Sequence, residues 1–302
     1  MPKFTILLIS GWILILLSCA STPPQPNLNY ENGIRDWHQD RINRLKQPDS
    51  WLSLAGLFWL DEGENSFGSA SDNDVVFPGE MTPEYLGSFQ RQGDSIWVET
   101  VENEVITHNG LLITGRVLMT SDSEGEPAIL ALGTLSWYII KRGEKYGVRL
   151  KDSKNHNLLS FTGIERYPVN ESWLVNTILI PHPEPTTIPI PNVLGQINDS
   201  PSPGILVFTI AGTEYRLEPI ASPEDKTYFI IFADETSGME TYGAGRFLVA
   251  DAADEDGMTI LDFNKAYNPP CAFSEFATCP LPPAQNVLSI KIEAGEKAYH
   301  AY

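Results

Sequence analysis

The chain has 302 residues, 42% of them hydrophobic, which is enough apolar material for one large β domain or two smaller ones and argues against a disordered protein. Its 39 acidic and 20 basic residues give a formal net charge of -19, which repels phosphate backbones and anionic membrane surfaces. Nucleic acid is therefore not an expected partner. Acidity of this kind is typical of a solvated protein surface.

The first 18 residues have the pattern of a lipoprotein signal peptide. Lys3 supplies a positive charge, residues 4–17 are largely apolar, and the sequence Leu-Leu-Ser-Cys ends at Cys19. The apolar run is shorter than the ~20 residues that a membrane-spanning helix needs. The pattern resembles bacterial lipoboxes, which predicts lipidation of Cys19 by acyl chains such as palmitate. An uncleaved membrane anchor and an ordinary secretory signal are the alternatives.

Lipidation at Cys19 predicts a cell-envelope protein whose partner is the membrane, reached through the lipid. Ala20 follows the cysteine where an aspartate would mark retention, which resembles cargo sent to the outer membrane. Residues 19–28 are rich in proline and small polar residues. Such a segment buries too little apolar area to fold and is predicted to be an extended tether.

Residues 29–180 are predicted to form an N-terminal helix and a first β unit. The helix is expected over residues 30–45, because Ile34, Trp37, Ile42 and Leu45 fall close to one face. Beyond it, short β-like runs separated by turn residues predict antiparallel sheets, as a sandwich or a barrel. The runs lie at residues 74–77, 95–99, 111–114, 135–141, 147–151, 173–180, 204–210, 214–218, 226–232, 246–249 and 287–292.

The proline-rich residues 181–192 form the best internal seam, because such a run prefers extended surface conformations. The seam could join two domains or cross a single sandwich. We predict two closely packed β units, of which the second occupies residues 181–302.

Two cysteines remain once Cys19 is assigned to the lipid. Cys271 and Cys279 lie eight positions apart, and in an oxidising envelope such a pair predicts a disulfide that closes a small loop. Two free thiols are one alternative, and a metal site, which needs more ligands than these two, is the other. The sequence has no H-E-x-x-H motif and no G-x-S-x-G motif, and we predict neither a metal nor a cofactor.

Six blocks of sequence resemble a known family. They are DSWLSLAGLFWLDEGENSFGS from Asp49, IIKRG from Ile139, DETSGMETYGAGRFL from Asp234, LDFNKAYNPPCAF from Leu261, TCPLPPAQN from Thr278 and AGEK from Ala294. These blocks are similar to the domain-of-unknown-function family 1684 of bacteria and archaea. The resemblance implies no particular activity, because the family has none that could be carried over to this chain.

A second resemblance concerns the first half of the chain. The sequences GENSFGSASDNDVVFP at residues 63–78 and THNGLLITGRVL at residues 107–118 are similar to forkhead-associated domains, β-sandwiches that bind phosphothreonine. Those domains grip phosphate with an arginine directly after the first loop's glycine, where this chain has Ser69. The resemblance therefore implies a fold for the first half rather than phosphopeptide binding.

Polar residues cluster at the ends of predicted strands in the second half, where loops on a rigid scaffold converge. We expect a small polar ligand to be bound by Asp234, Thr236, Tyr242, Arg246, Asp262, Asn264, Tyr267 and Asn268. Arg246 is suited to a carboxylate or phosphate, and the amides are suited to orienting a polar ligand. In the alternative interpretation Arg246 pairs with Asp234 or Asp262 and the asparagines cap turns.

Three functional hypotheses follow. The first is an envelope lipoprotein that binds a small polar ligand. The second is a hydrolase or lyase acting on an envelope substrate, with Asp234 or Asp262 as acid or base beside Arg246; no catalytic residue is assigned. The third is a structural or assembly lipoprotein. Convergence of these side chains and Asn264 on an open cleft favours the first two, whereas buried mutual pairing favours the third.

Overall fold

A computed structural model describes residues 27–79, 82–101, 104–113 and 115–299. The predicted signal peptide and the lipidation site at Cys19 lie outside these residues. Helix α1 spans Leu28–Leu45, and Asn27 caps its first turn by accepting a hydrogen bond from the Tyr30 backbone N–H. The helix predicted over residues 30–45 is therefore confirmed, with its start two residues earlier. Within the described ranges, no helix is long and apolar enough to cross a membrane.

The first β unit consists of two facing sheets. A six-stranded sheet has the order β1-β11-β10-β9-β6-β7, and a five-stranded sheet has the order β3-β2-β4-β5-β8. The strands are β1 Leu54–Trp59, β2 Gly63–Gly68, β3 Val75–Val76, β4 Gly87–Gln92, β5 Ser95–Thr100, β6 Thr107–His108, β7 Leu111–Leu112, β8 Arg116–Met119, β9 Leu130–Leu132, β10 Leu135–Arg142 and β11 Lys145–Asp152. All pairs of these strands are antiparallel except β2 with β3.

An aromatic cluster fills the core of the first unit. Phe67 packs against Phe89 in a tilted arrangement with ring centroids 4.6 Å apart, and Phe77 meets Trp137 edge-on at 5.1 Å. All four side chains are fully buried. Successive side chains of a strand point to opposite faces of the sheet. The face of each sheet that carries these aromatic residues therefore lies in the core.

The second unit contains a four-stranded antiparallel sheet of order β14-β13-β12-β17 and a β15-β16 hairpin. The strands are β12 Leu174–Pro191, β13 Ile197–Ile210, β14 Thr213–Leu217, β15 Thr227–Phe232, β16 Arg246–Asp251 and β17 Met258–Asp262. A second core, built around Leu206, Phe232, Leu248 and Phe263, lies between them. A short helix α2, His156–Leu159, precedes the unit. The mainly antiparallel β fold with one N-terminal helix confirms the predicted fold class.

The proline-rich segment is part of a strand. β12 continues through Pro191, and its ladder with β13 is interrupted only between Pro181 and Thr186. The interruption coincides with Pro181, Pro183 and Pro185, which have no backbone N–H to donate. The predicted boundary between residues 180 and 181 thus falls inside β12, where the segment pairs with β13 of the same sheet. The division of the chain into two units stays a prediction.

One predicted strand is wrong. Residues 287–292 form no ladder beyond an isolated bridge between Val287 and Ala233. The segment exchanges three backbone hydrogen bonds with residues 233–235, from Leu288 to Ala233, from Ala233 to Asn286 and from Glu235 to Ile290. Beyond these bonds the Ile292 carbonyl accepts from the Arg246 guanidinium.

A disulfide joins Cys271 and Cys279, as predicted, with the two Cα atoms 6.0 Å apart. The loop that it closes packs on the first unit, because Ala277 and Cys279 form an apolar cluster with Leu54 of β1. Thr278 adds polar contacts between the units by accepting hydrogen bonds from Arg142 and Arg149, at 2.9 and 3.1 Å. The cysteine loop therefore fixes the second unit against the first.

Candidate functional site

Arg246 and Asp234 form a buried ion pair at the start of β16. Arg246 Nη2 donates to Asp234 Oδ2 over 2.6 Å, and neither side chain has solvent exposure. Burial lowers the pKa of the Arg246 guanidinium, and the Asp234 carboxylate opposes that effect. The pair faces the C-terminal segment rather than an opening, since the same guanidinium also donates to the carbonyls of Ile292 and Ala294.

Gly245 allows Arg246 to reach this position. Its φ is +86°, and a Cβ built there would lie 2.5 Å from the Phe232 carbonyl oxygen, so no other residue fits without displacing the hairpin. The Arg246 guanidinium then lies 5.3 Å from the centroid of the Phe232 ring. Gly245 thus lets the charged guanidinium of Arg246 lie against the buried ring of Phe232.

Thr236 completes the surroundings of Asp234. Its backbone N–H and its hydroxyl both donate to Asp234 Oδ1, and the hydroxyl lies 2.8 Å from the hydroxyl of Thr241. Both threonines are buried. Tyr242 is half-buried, and burial raises its pKa, but its hydroxyl has no hydrogen-bond partner among the described residues. The structure thus joins Asp234, Thr236 and Arg246 in one network and leaves Tyr242 outside it.

Asp262 and Asn264 belong to a second network that helix α1 closes. The Tyr30 hydroxyl donates to Asp262 Oδ1 over 2.7 Å and accepts from Asn264 Nδ2 over 3.0 Å. Asn264 also exchanges two hydrogen bonds with the backbone of Asn170. Burial, and then the Asp262 carboxylate, raise the pKa of Tyr30. Two residues predicted to bind ligand therefore bind the first turn of α1.

Asn268 and Tyr267 belong to a third network, centred on Glu296, which is 1% exposed. Glu296 Oε1 accepts from Arg41 Nε over 2.5 Å, and Oε2 accepts from the Asn268 backbone N–H over 2.7 Å. The Arg41 guanidinium lies 4.5 Å from the centroid of the Tyr267 ring. Burial raises the pKa of Tyr267, and Arg41 opposes that effect. The middle of α1 is thereby held to the second unit by an ion pair and a cation–π contact.

His38 lies at the edge of this third network. Its Nε2 is 3.8 Å from Glu296 Oε1, and the side chain is largely buried. Burial, followed by the nearby Arg166 and Arg41 charges, lowers the pKa of His38 to about 4. His38 is therefore neutral at pH 7. Three buried polar atoms around Glu296 have no partner among the described residues, namely His38 Nε2, Arg166 Nη2 and Asn268 Oδ1.

Sequence reasoning missed Tyr30, His38, Arg41 and Glu296. A signal for Glu296 was present, because the AGEK block that carries the family resemblance contains it. Tyr30, Ile34, His38 and Arg41 follow the i, i+4, i+8, i+11 spacing of one helix face. A long charged side chain such as that of Arg41 can lie on the buried face of a helix when a carboxylate pairs with it.

The eight predicted ligand residues do not line one open cleft in the part of the chain that is described. Six of them are buried, and their polar groups are used mainly on one another, on α1 or on the C-terminal segment. Acid–base chemistry by Asp234 would need access that its enclosed carboxylate lacks, whereas Asp262 keeps slight exposure beside Lys265. The described residues contain no group of three or more His, Cys, Asp or Glu arranged to hold a metal. Ligand binding at these residues stays a prediction.

Open space lies elsewhere, on the outer face of the four-stranded sheet. Two adjoining grooves of about 490 and 330 Å³ share Asn176 and Met258 in their walls. None of the predicted site residues lines either groove. The sequence does not predict either groove, because their walls combine apolar side chains such as Ile178 and Met258 with polar ones such as Asn176 and Thr209 from several strands.

Comparisons with known proteins give one family match. Residues 159–297 match the family model described as "Protein of unknown function (DUF1684)". No curated protein matches the chain. The matched segment contains all eight predicted ligand residues and Glu296, while α1 lies before it.

Two solved structures are similar to the chain. The solution NMR structure of an uncharacterized protein from Haloarcula marismortui is 28% identical, with a TM-score of 0.39, and the match covers 45% of this chain and 77% of that one. A forkhead-associated structure, Rv0020c_FHA, is 15% identical, with a TM-score of 0.22, and the match covers 32% of this chain and 95% of that one. A forkhead-associated neighbour is thus found, and no argument about phosphothreonine follows from it. The match over residues 159–297 supports the predicted resemblance to the family of proteins of unknown function DUF1684.

Proposed function

We propose that the protein is an assembly lipoprotein of the cell envelope, anchored through Cys19 and acting as a rigid β scaffold for another protein. The observation that carries the proposal is the buried mutual pairing of the polar residues, above all Arg246 with Asp234. A binding site or reaction centre built from these groups would have to leave them accessible to a ligand. Paired as they are, they serve to hold α1 and the C-terminal segment on the second unit.

The lipid anchor is supported by the sequence pattern ending at Cys19 and by the tether after it. The test is fractionation of cells that express the parent, Cys19→Ala or, as a matched control, Cys271→Ala. We expect the parent and the control in the membrane fraction, the mass of the mature parent to include acyl chains, and Cys19→Ala to be released. Unchanged fractionation of Cys19→Ala would overturn the anchor.

The assembly role is tested by light scattering of the full-length protein extracted from membranes with mild detergent. We expect a complex heavier than one chain that contains a second, different protein. A monodisperse monomer in extracts that preserve other envelope complexes would contradict the role. Turnover of any envelope substrate by the purified protein would favour the hydrolase or lyase instead.

A small polar ligand is the second candidate function, and one observation favours it. The unpartnered atoms of His38, Arg166 and Asn268 border Glu296 beneath α1, and buried polar atoms without partners cost about 1–3 kcal/mol each. The test is a thermal-shift screen of the parent and Asn268→Ala against sugars, nucleotides, organic acids and phosphopeptides. A compound that stabilises the parent and not the variant would support this candidate, and no shift with any compound would count against it.

A further inference from the structure

The outer face of the four-stranded sheet is apolar where strand periodicity would allow polar residues. Along β12, Val175 and Thr177 point into the core, so Leu174, Asn176, Ile178 and Ile180 point outward. Ile178 and Ile180 are 44% and 52% exposed. A β-sheet face that meets only water usually carries polar side chains at these positions.

The neighbouring strands extend the same apolar surface. Ile178 pairs across the ladder with Met258 of β17 on one side and with Val207 of β13 on the other. In the next row, Ile260 of β17 pairs with Asn176. Met258 and Ile260 are 41% and 48% exposed. Contiguous exposed apolar surface of this kind marks an interaction site more often than scattered single residues do.

The grooves give this surface a shape. The larger groove runs along β12 beside Ile178 and Val207, and the smaller one continues it past Met258 and Ile260. Both are open to solvent along one side of the sheet. A segment of extended chain, with side chains alternating toward and away from the sheet, matches their common course.

The rim of the smaller groove is acidic. Asp251 and Asp254 line it, and Glu255 and Asp256 follow in the same exposed turn. None of these four carboxylates forms an ion pair with a described residue. At the opposite edge of the sheet, on β14, Glu214 and Arg216 neutralise each other at 2.9 Å. The apolar surface is therefore bordered by uncompensated negative charge on one side.

The charge decides between the occupants that an apolar groove could take. A second copy of this chain would bring a net charge of -19 and another acidic rim against the first. An anionic lipid surface would be repelled by the same carboxylates. A segment that carries both apolar and basic residues satisfies the groove and the rim together.

We propose that this face binds an extended segment of a partner protein in which apolar residues alternate with lysine or arginine. The apolar side chains point into the grooves over Ile178 and Met258. The basic side chains point away from the sheet, and their long stems reach sideways to the carboxylates of Asp251 and Asp254 on the rim. This inference rests on the proposed assembly role, for which it names the surface and the chemistry of the partner.

The test uses a synthetic peptide of alternating isoleucine and lysine, titrated into the full-length chain in nanodiscs of zwitterionic lipid. Its counterpart with glutamate in place of lysine is the matched control. We expect the lysine peptide to bind at least roughly tenfold more tightly than the glutamate peptide, and the difference to shrink as salt screens the rim. Equal binding of both peptides, or binding of neither, would overturn the proposal.

Variants assign the binding to this face. Ile178→Lys and Asp251→Lys should each weaken the lysine peptide by about tenfold or more. Their controls, Ile197→Lys and Asp199→Lys, change exposed residues of β13 outside both grooves and should leave affinity unchanged. Asp251→Lys keeps the test valid if Ile178→Lys impairs folding. Affinity unaffected by both face variants would overturn the proposal.

Two further outcomes would show that this face binds something other than a partner protein segment. Dimers of the parent that Ile178→Lys converts to monomers would identify a second copy, and binding to phosphatidylglycerol vesicles that Ile178→Lys abolishes would identify lipid. The assembly role is judged separately, from the detergent-extracted complex. A complex that survives Ile178→Lys and Asp251→Lys unchanged would keep the assembly role and remove this face from it.

Discussion

Arg41 in the middle of helix α1 donates from Nε to Glu296 Oε1 over 2.5 Å, and Glu296 lies near the end of the described chain. The contact joins residues 255 positions apart, and the Glu296 side chain is 1% exposed. Because the carboxylate also accepts from the Asn268 backbone, one buried charge links α1, the loop before the disulfide and the C-terminal segment. Removing the arginine leaves that charge without its counter-ion.

Replacing Arg41 with alanine should therefore loosen α1. The lost charge-assisted hydrogen bonds and the contact with the Tyr267 ring should lower the free energy of holding the helix by about 2 kcal/mol. Hydrogen exchange measures this directly, and amides of α1 should exchange roughly thirtyfold faster while those of β10 and β11 stay unchanged. Arg35→Ala, which removes an exposed arginine of the same helix, is the control. Equal exchange in the two variants would show that Arg41 does not hold α1.

Tyr30→Phe tests the second network. The change keeps the ring and removes the hydroxyl that donates to Asp262 and accepts from Asn264. We expect a loss of about 1–2 kcal/mol in the free energy of unfolding, because two partly buried polar groups lose their partner. Urea denaturation measures the loss, and Tyr85→Phe at an exposed tyrosine should change it by less than about 0.5 kcal/mol. A Tyr30→Phe variant as stable as its control would argue against a structural role for Asp262 and Asn264.

The pKa of His38 predicts a loss of stability in mild acid. The folded protein holds this pKa at about 4, below the unfolded value of about 6.5, so between these values the unfolded chain binds a proton that the folded chain does not. The contribution of His38 is therefore fully present above about pH 6.5 and declines as pH falls toward 4, by up to about 3 kcal/mol.

Denaturation of the parent and of His38→Gln between these pH values isolates this effect. Glu296, Arg41 and Arg166 surround His38 in both proteins, so the difference between their pH profiles reports the histidine. The parent should lose stability more steeply than His38→Gln, while the exposed-residue control His156→Gln follows the parent. Parallel profiles of the parent and His38→Gln would contradict burial of a neutral histidine.

The disulfide should stabilise the contact between the two units. Reducing it, or replacing Cys279 with serine, opens a loop of about eight residues and should cost about 2 kcal/mol. The mature protein, analysed without reductant, should contain a peptide with Cys271 joined to Cys279. Quantitative alkylation of both cysteines without reductant would refute the bond.

The sequence was sufficient for the fold class because local signals dominate it. Patterns within a few neighbouring positions predict the apolar face of α1, the strands with alternating side chains and the turns between them. Residues 287–292 have strand composition, yet they only exchange three backbone hydrogen bonds with residues 233–235 and form no regular ladder, which composition does not reveal. The continuation of β12 to Pro191 was not predicted, because the prolines indicate irregular chain. Burial of Ile188 and Ile190 stabilises a strand there in spite of these prolines.

The candidate site was harder to predict, since residue type does not reveal exposure. Asp234, Arg246 and Asn264 are equally suited to a ligand and to each other, and only the packed structure decides which they contact. Tyr30, which contacts Asp262 and Asn264, and the Arg41–Glu296 pair, which contacts Asn268, come from the two ends of the described chain. Sequence spacing carries no information about contacts at that separation.

We infer that the polar residues of the second unit hold the fold together, and a double-mutant cycle on Asp234 and Arg246 tests this claim. Each single change to alanine should cost about 3–5 kcal/mol of unfolding free energy, because it leaves a fully buried charge unpaired. The double variant should cost well under the sum, and Arg216→Ala at the exposed pair should cost under about 1 kcal/mol. Single variants as stable as the parent, with no coupling between them, would contradict the claim and return these residues to the search for a ligand.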